Sequence, residues 1–251
     1  MERLITSCGE RNKLSNIKEN PGNPGVPKLL AAAVIIILSF FLVFSYFNDI
    51  IDARTLSLRA AKALENTRSY QFDISSNLSF FNEELQVMSA KGKVDTNNKK
   101  MHVFVNSSDR QVEAIVIGDK TYARETNGPW QVRQVNELSI WKDKLSEQRS
   151  ILENARNLTM YRENGTYILE IVPEKEEVLR QMREAGLDDS KIELKRYVIR
   201  YRIEPYTYYI RKAETYADIE MNFRGMQTSM KLTNIINLSD FNEKMSIEAP
   251  V

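Results

Sequence analysis

The chain is nearly without cysteine: Cys8 is the only one in 251 residues. No disulfide can form within it, and no Cys-x-x-Cys pair is there to hold a metal or carry out redox work. Histidine is equally scarce. A zinc site needs several Cys, His or carboxylate ligands, and the single His102 cannot build one alone. No metal or other cofactor is therefore expected. A glycine-rich phosphate loop and a Gly-x-Ser-x-Gly elbow are also missing. Catalysis needs a convergent polar constellation, and a Ser-His-Asp site built on His102 has no local support. The sequence thus predicts a protein that is not an enzyme. Excess charge is lacking too: 35 Lys and Arg stand against 34 Asp and Glu. A near-neutral chain lacks the electrostatic footprint of a nucleic-acid binder.

One long hydrophobic run is present. Leu29 to Phe47 is LLAAAVIIILSFFLVFSYF, 19 residues without a charge. At 1.5 Å per residue it spans about 28 Å, the thickness of a hydrocarbon core. A secretory signal would start nearer the N-terminus and end in small residues. Here a polar leader precedes the run and the run ends in Ser45-Tyr46-Phe47, a poor cleavage site, so it reads as a retained single-pass anchor. Arg11, Lys13, Lys18 and Lys28 precede it, which favours a cytoplasmic N-terminus and an extracytoplasmic main domain in the cell membrane. Pro21, Gly22, Pro24, Gly25 and Pro27 predict a flexible connector. The expected organisation is a cytoplasmic tail over 1–28, a transmembrane helix over 29–48 and one extracytoplasmic domain over 49–251.

The domain opens with an amphipathic helix over 50–67, striped by Ala53, Leu56, Ala60, Ala63 and Leu64. The period then changes to two. Tyr70, Phe72, Ile74, Leu78 and Phe80 alternate with polar residues, as in a half-buried strand. Five more strand-like runs follow to about residue 135, separated by Asn97-Asn98, Gly118-Asp119 and Asn127-Gly128-Pro129. A second helix is expected over 137–156, capped by Asn136 and striped by Leu138, Trp141, Leu145 and Leu152. Two strands meet at Asn164-Gly165, a third helix covers 174–185, and three strands end the chain. Neighbouring strands twist by roughly 20° each, so one antiparallel sheet of about 11 strands must curl. The fold class predicted is α+β: a curved half-barrel sheet covered by about three helices.

Three stretches carry a family resemblance. Ala60 to Phe72 (AAKALENTRSYQF) reads as an opening helix running into a Ser-Tyr strand. Ile117-Gly118-Asp119-Lys120-Thr121-Tyr122 with Gly128-Pro129-Trp130 reads as a central hairpin. Asp240-Phe241-Asn242 through Pro250 reads as a closing strand. In this order they resemble the LolA/LppX-like superfamily of lipoprotein carriers and lipid-binding lipoproteins, over roughly residues 53–250. The resemblance implies a half-barrel with an apolar cavity for acyl chains, and lipid or acylated-protein partners besides the bilayer. Members are typically soluble or acylated, whereas this chain carries a protein anchor.

Inward alternation makes Phe72, Ile74, Met101, Val103, Val105, Val116 and Tyr122 the candidate cavity lining, with Trp141 and Leu145 facing them from the second helix. The expected function is to hold or present a lipid or other hydrophobic ligand at the membrane. The alternative is a non-enzymatic envelope interaction or sensor module with a filled core, which a cavity below about 300 Å³ would favour. A dense set of tyrosines with Arg196, Arg200, Arg202 and Arg211 suggests a second surface, for anionic head groups or glycans, the alternative being ordinary strand composition with solvated charges. Asn77, Asn106, Asn157, Asn164 and Asn237 head Asn-x-Ser/Thr sequons. Asn164, in a turn, is the best glycosylation candidate.

Overall fold

The computed structural model describes residues 34–42, 52–81, 83–108, 110–126, 128–134, 144–184, 192–223 and 226–250. Two compact units divide the chain, one over 1–50 and one over 51–251.

In the first unit, residues 34–42 are helical and their large apolar side chains are exposed, Ile36 at 68% and Phe40 at 73%. The rest of the predicted anchor, including Leu29 and Phe47, lies outside the described residues, as does the leader. No described helix is long and apolar enough to cross a membrane.

Among its described residues the second unit holds one antiparallel sheet of 11 strands with three helices. Helix α1 spans Ala53–Glu65. Asp52, which the sequence reading did not single out, caps it by accepting from the Thr55 amide at 2.8 Å. Its buried face is Leu56, Ser57, Ala60, Ala61 and Leu64. Ala61 replaces the expected Ala63, and the Ser57 hydroxyl bonds the Leu152 carbonyl at 2.6 Å. Strands β1 (Ser69–Phe80), β2 (Glu83–Asp95), β3 (Lys100–Ser107), β4 (Gln111–Ile117), β5 (Lys120–Glu125) and β6 (Gln131–Gln134) form the first meander. Helix α2 (Lys144–Asn154) follows, then β7 (Leu158–Glu163), β8 (Thr166–Ile171), helix α3 (Lys175–Glu184), β9 (Ile192–Ile203), β10 (Ile210–Phe223) and β11 (Met226–Ser239). The expected Asn136 cap and the start of the second helix lie outside the described residues. So does Gly186, the expected stop of the third.

Strand order is β6-β5-β4-β3-β2-β1-β11-β10-β9-β8-β7. The two meanders join at the centre, where the first strand pairs with the last, Phe72 opposite Leu238 and Ile74 opposite Ile236. Helices α1 and α2 pack on each other and on one face of the sheet through Leu56, Leu64, Leu145, Leu152, Leu169 and Tyr201. Helix α3 adds Val178 to a smaller cluster with Leu194, Ala217 and Leu232. Cross-strand partners share a face. Leu232 pairs with Ala217 and lies in the same alternation as Ile236 and Leu238, so all three helices cover the same face.

Candidate ligand cavity

Between this face and the two packed helices lies a cavity of about 280 Å³. Its floor comes from the central strands. Tyr70, Phe72 and Ile74 of β1, Ile236 and Leu238 of β11, Ala213 of β10, and Met101 and Val116 of β3 and β4 all reach it. Leu64 of α1 and Leu145 of α2 form the cover. One side is polar, at the β2–β3 turn, with Asp95, Thr96, Lys99 and Lys100, and Gln148 adds a polar group from α2. At that turn the Asn98 side chain donates to Asp95 at 2.7 Å and holds its carboxyl below the usual range. Lys100 Nζ donates to the Ile247 carbonyl at 3.1 Å. Deeper in, Tyr201 is fully buried and donates to Gln148 Oε1 at 2.7 Å. Burial pushes the Tyr201 phenol far up, and also raises that of its neighbour Tyr197.

Of the residues expected to line a cavity, the structure brings Phe72, Ile74, Met101, Val116 and Leu145 together. Val103 and Val105 share the face of Met101 but belong to the packed core. Val103 is wholly buried, opposite Gly92, and Val105 packs against the same cluster. Tyr122 does not reach the cavity. The two-residue turn Gly118–Asp119 pairs Val116 with Thr121 and Ile115 with Tyr122, so Tyr122 faces the other side of the sheet. Trp141 lies outside the described residues. Tyr70, Ala213, Ile236 and Leu238 were not singled out in advance. Their alternation is visible in the sequence, but their meeting depends on β1 pairing with β11.

The opposite face carries the polar groups. Glu113 accepts from His102 Nε2 at 2.8 Å and from Arg124 Nη2 at 2.6 Å. Burial works to raise the Glu113 carboxyl, but the bonds from His102 and Arg124 outweigh it, and the net shift is downward. His102 also packs against Phe104, ring centroids 4.6 Å apart. His102 is thus not isolated. No hydroxyl or thiol bonds it among the described residues, and it sits on the face away from the cavity. Among the described residues there is no cluster of His, Cys, Asp and Glu suited to a metal.

The tyrosine and arginine surface is an ion-pair ladder. Arg200 pairs with Glu170 at 2.6 Å, Arg202 with Glu163 at 2.8 Å and Arg211 with Glu204 at 2.6 Å. These three arginines are matched by carboxylates, and Arg200 and Arg211 also lie over the Tyr216 and Phe241 rings. Of the sequons, Asn106, Asn157, Asn164 and Asn237 are exposed. Asn77 is half-buried and donates to Glu84 at 2.8 Å. Asn164 takes the β7–β8 turn with φ +48°.

No family model matches the sequence, and no curated protein is similar to it in sequence. Among solved structures, the chain is similar to the Mycobacterium tuberculosis lipoprotein LppX. The two are 15% identical over 78% of this chain and 98% of that one, with a TM-score of 0.49. A LolA superfamily protein from Nitrosomonas europaea is 10% identical over 78% of this chain and 95% of that one, with a TM-score of 0.30.

Proposed function

We propose that this chain is a membrane-anchored extracytoplasmic binding protein, not an enzyme, that holds a small hydrophobic ligand between its sheet and helices α1 and α2. The observation that carries this reading is the apolar cavity itself. An apolar cavity of about 150 Å³ stays dry and accepts benzene. By proportion, the cavity of about 280 Å³ takes a ligand of roughly eleven heavy atoms. That is one short acyl chain or a compact hydrophobe, and too little for a lipid with two or three full chains. The polar β2–β3 turn would receive the ligand's polar end. The uncharged run 29–47 is the proposed anchor, with the domain outside the cytoplasm.

Native mass spectrometry and organic extraction of the purified full chain test the reading. The expected result is a retained single-chain amphiphile, displaced when Ala213→Phe fills the cavity. A parent protein that retains nothing would overturn it. Protease protection of a tag at each terminus tests the topology.

One observation favours a second reading, an interaction or sensor module with a filled interior. The volume falls just under the roughly 300 Å³ at which ligand pockets begin. Under that reading Ala213→Phe overpacks the core and costs about 1–3 kcal/mol, with no ligand to lose.

A further inference from the structure

We infer that the tip of the β1–β2 hairpin is a second membrane contact, in which Phe80 and Phe81 enter the interface of the bilayer that holds the anchor. The inference rests on the anchor reading above and adds a face of the folded domain to it. Phe81 is 71% exposed and Phe80 36%, and their rings meet edge to face at 4.2 Å. Leu85, also 58% exposed, pairs with Leu78 just below them. The tip is therefore an apolar knob, the kind of surface that marks a contact with membrane or partner.

Its backbone points the same way. Phe81 has φ +50°, a left-handed conformation that favours Gly or Asn and strains a bulky residue. The hairpin keeps an exposed aromatic ring where turn chemistry disfavours one, so the ring is not there to make the turn.

The occupant follows from the tether. The uncharged run ends at Phe47 and the domain's first helix is capped by Asp52. Five residues reach at most about 17 Å. On the anchor reading, chain length alone keeps the start of α1 within that reach of the membrane surface, and register shows which end of the sheet goes with it. Arg54 donates to the carbonyls of Glu153 and Ala155, just ahead of β7. Leu158 opens β7 opposite Ile171, and the ladder runs on through Ile199, Thr215 and Asn234 to Ser76. Ser76 is four residues short of Phe80 on β1, and residues 153–155 lie on the Phe80 side of that rung. The helix start and the hairpin tip thus belong to the same end of the sheet. The β10–β11 hairpin, closing with Phe223 opposite Met226, reaches beyond Phe80 at that end too.

Charge decides what kind of bilayer contact this is. Residues 69–90 contain no Lys or Arg, and Glu83 and Glu84 flank the tip. Lys231, opposite Ser79, sets one cation against these two carboxylates, so attraction to anionic lipid is not the main drive. The contact is hydrophobic insertion into a zwitterionic interface, with aromatic rings at head-group level.

The test uses the full chain in phosphatidylcholine nanodiscs, with Phe81→Trp as the reporter and Phe104→Trp as a control. Phe104 is 51% exposed but lies on the sheet face away from the cavity, far from the tip. Replacing the lipid with its dibrominated form should lower the Phe81→Trp emission, after subtracting the parent's, at least about twofold. High salt should leave the loss intact. The control emission should not change. A chain that fails to enter nanodiscs refutes the anchor reading. A chain that enters, yet shows no quenching at the tip, refutes this inference alone. Tip emission shielded only at high protein concentration assigns the knob to a second copy and likewise overturns it. As a second measurement, Phe81→Gly should unfold at the same temperature as the parent or higher, because it relieves the strained φ. A clear drop in its melting temperature would make the ring part of the core and overturn the proposal.

Discussion

Replacing Gly92 with alanine tests how tightly the sheet is packed beneath the cavity. A Cβ at position 92 would lie 2.6 Å from the His102 carbonyl oxygen, 2.6 Å from Phe72 Cζ and 2.8 Å from Phe72 Cε1. The two neighbours respond differently. The His102 carbonyl is held between paired strands, opposite Lys93 on one side and Ile115 on the other. Moving it disturbs two ladders. The Phe72 ring borders empty space, because it lines the cavity, and can swing into it. Inserting a carbon into a packed core costs typically about 1–3 kcal/mol. Losing glycine's freedom in the unfolded chain returns about 0.4–1 kcal/mol. The net expectation is a loss of about 1–2 kcal/mol, or roughly 2–8 °C in melting temperature for a domain of this size.

Thermal unfolding of the full chain, followed by circular dichroism, reads the loss. Extraction of the same preparation reads the ligand, which should fall as the ring fills its place. A cycle with Phe72→Leu separates the two clashes. If the ring is the main obstacle, the pair should couple by at least about 0.5 kcal/mol. A Gly92→Ala protein that melts within about 1 °C of the parent, with no coupling to position 72, would refute the packing described here.

Tyr201→Phe leaves the half-buried Gln148 amide oxygen without this donor and should cost about 1 kcal/mol by urea unfolding. Burial raises the Tyr201 and Tyr197 phenols above their ordinary value, so the unfolded chain ionises first. Stability is therefore full below about pH 10 and falls above it, and Tyr201→Phe should flatten that alkaline loss. Glu113→Gln weakens the bonds from His102 and Arg124 and should cost about 1 kcal/mol at pH 7. Because the folded carboxyl titrates lower than the unfolded one, the gap between parent and variant should close as pH falls from about 4.5 toward 3. An undiminished gap at pH 3 would assign the effect to packing. Thr121 Oγ1 is buried without a hydrogen-bond partner, so Thr121→Val should be neutral or stabilising by up to about 1 kcal/mol in the same unfolding assay, and a destabilised variant would reveal a partner.

The sequence by itself determined the order and type of the elements as far as Ser239; beyond it Asp240 to Pro250, expected as a closing strand, pairs with no strand and is a turn followed by irregular chain. Period-two runs such as Tyr70-Phe72-Ile74, and turn residues such as Gly118-Asp119 and Asn164-Gly165, are local signals, and each became the strand or turn expected. Strand ends were less legible: β9 begins at Ile192, where the alternation read from Tyr197, and β10 at Ile210 rather than 206. The capping role of Asp52 was also readable, since Asp ahead of an apolar stripe is an N-cap signature. Only tertiary structure decided which residues meet. The cavity floor needs Phe72 and Ile74 beside Leu238 and Ile236, more than 150 residues away in the chain, and nothing local encodes that pairing. Parity across a hairpin is equally hidden. The alternation of β5 is plain, but the length of the turn before it chose Thr121 over Tyr122 for the cavity side, because a shift of one residue turns every side chain to the opposite face.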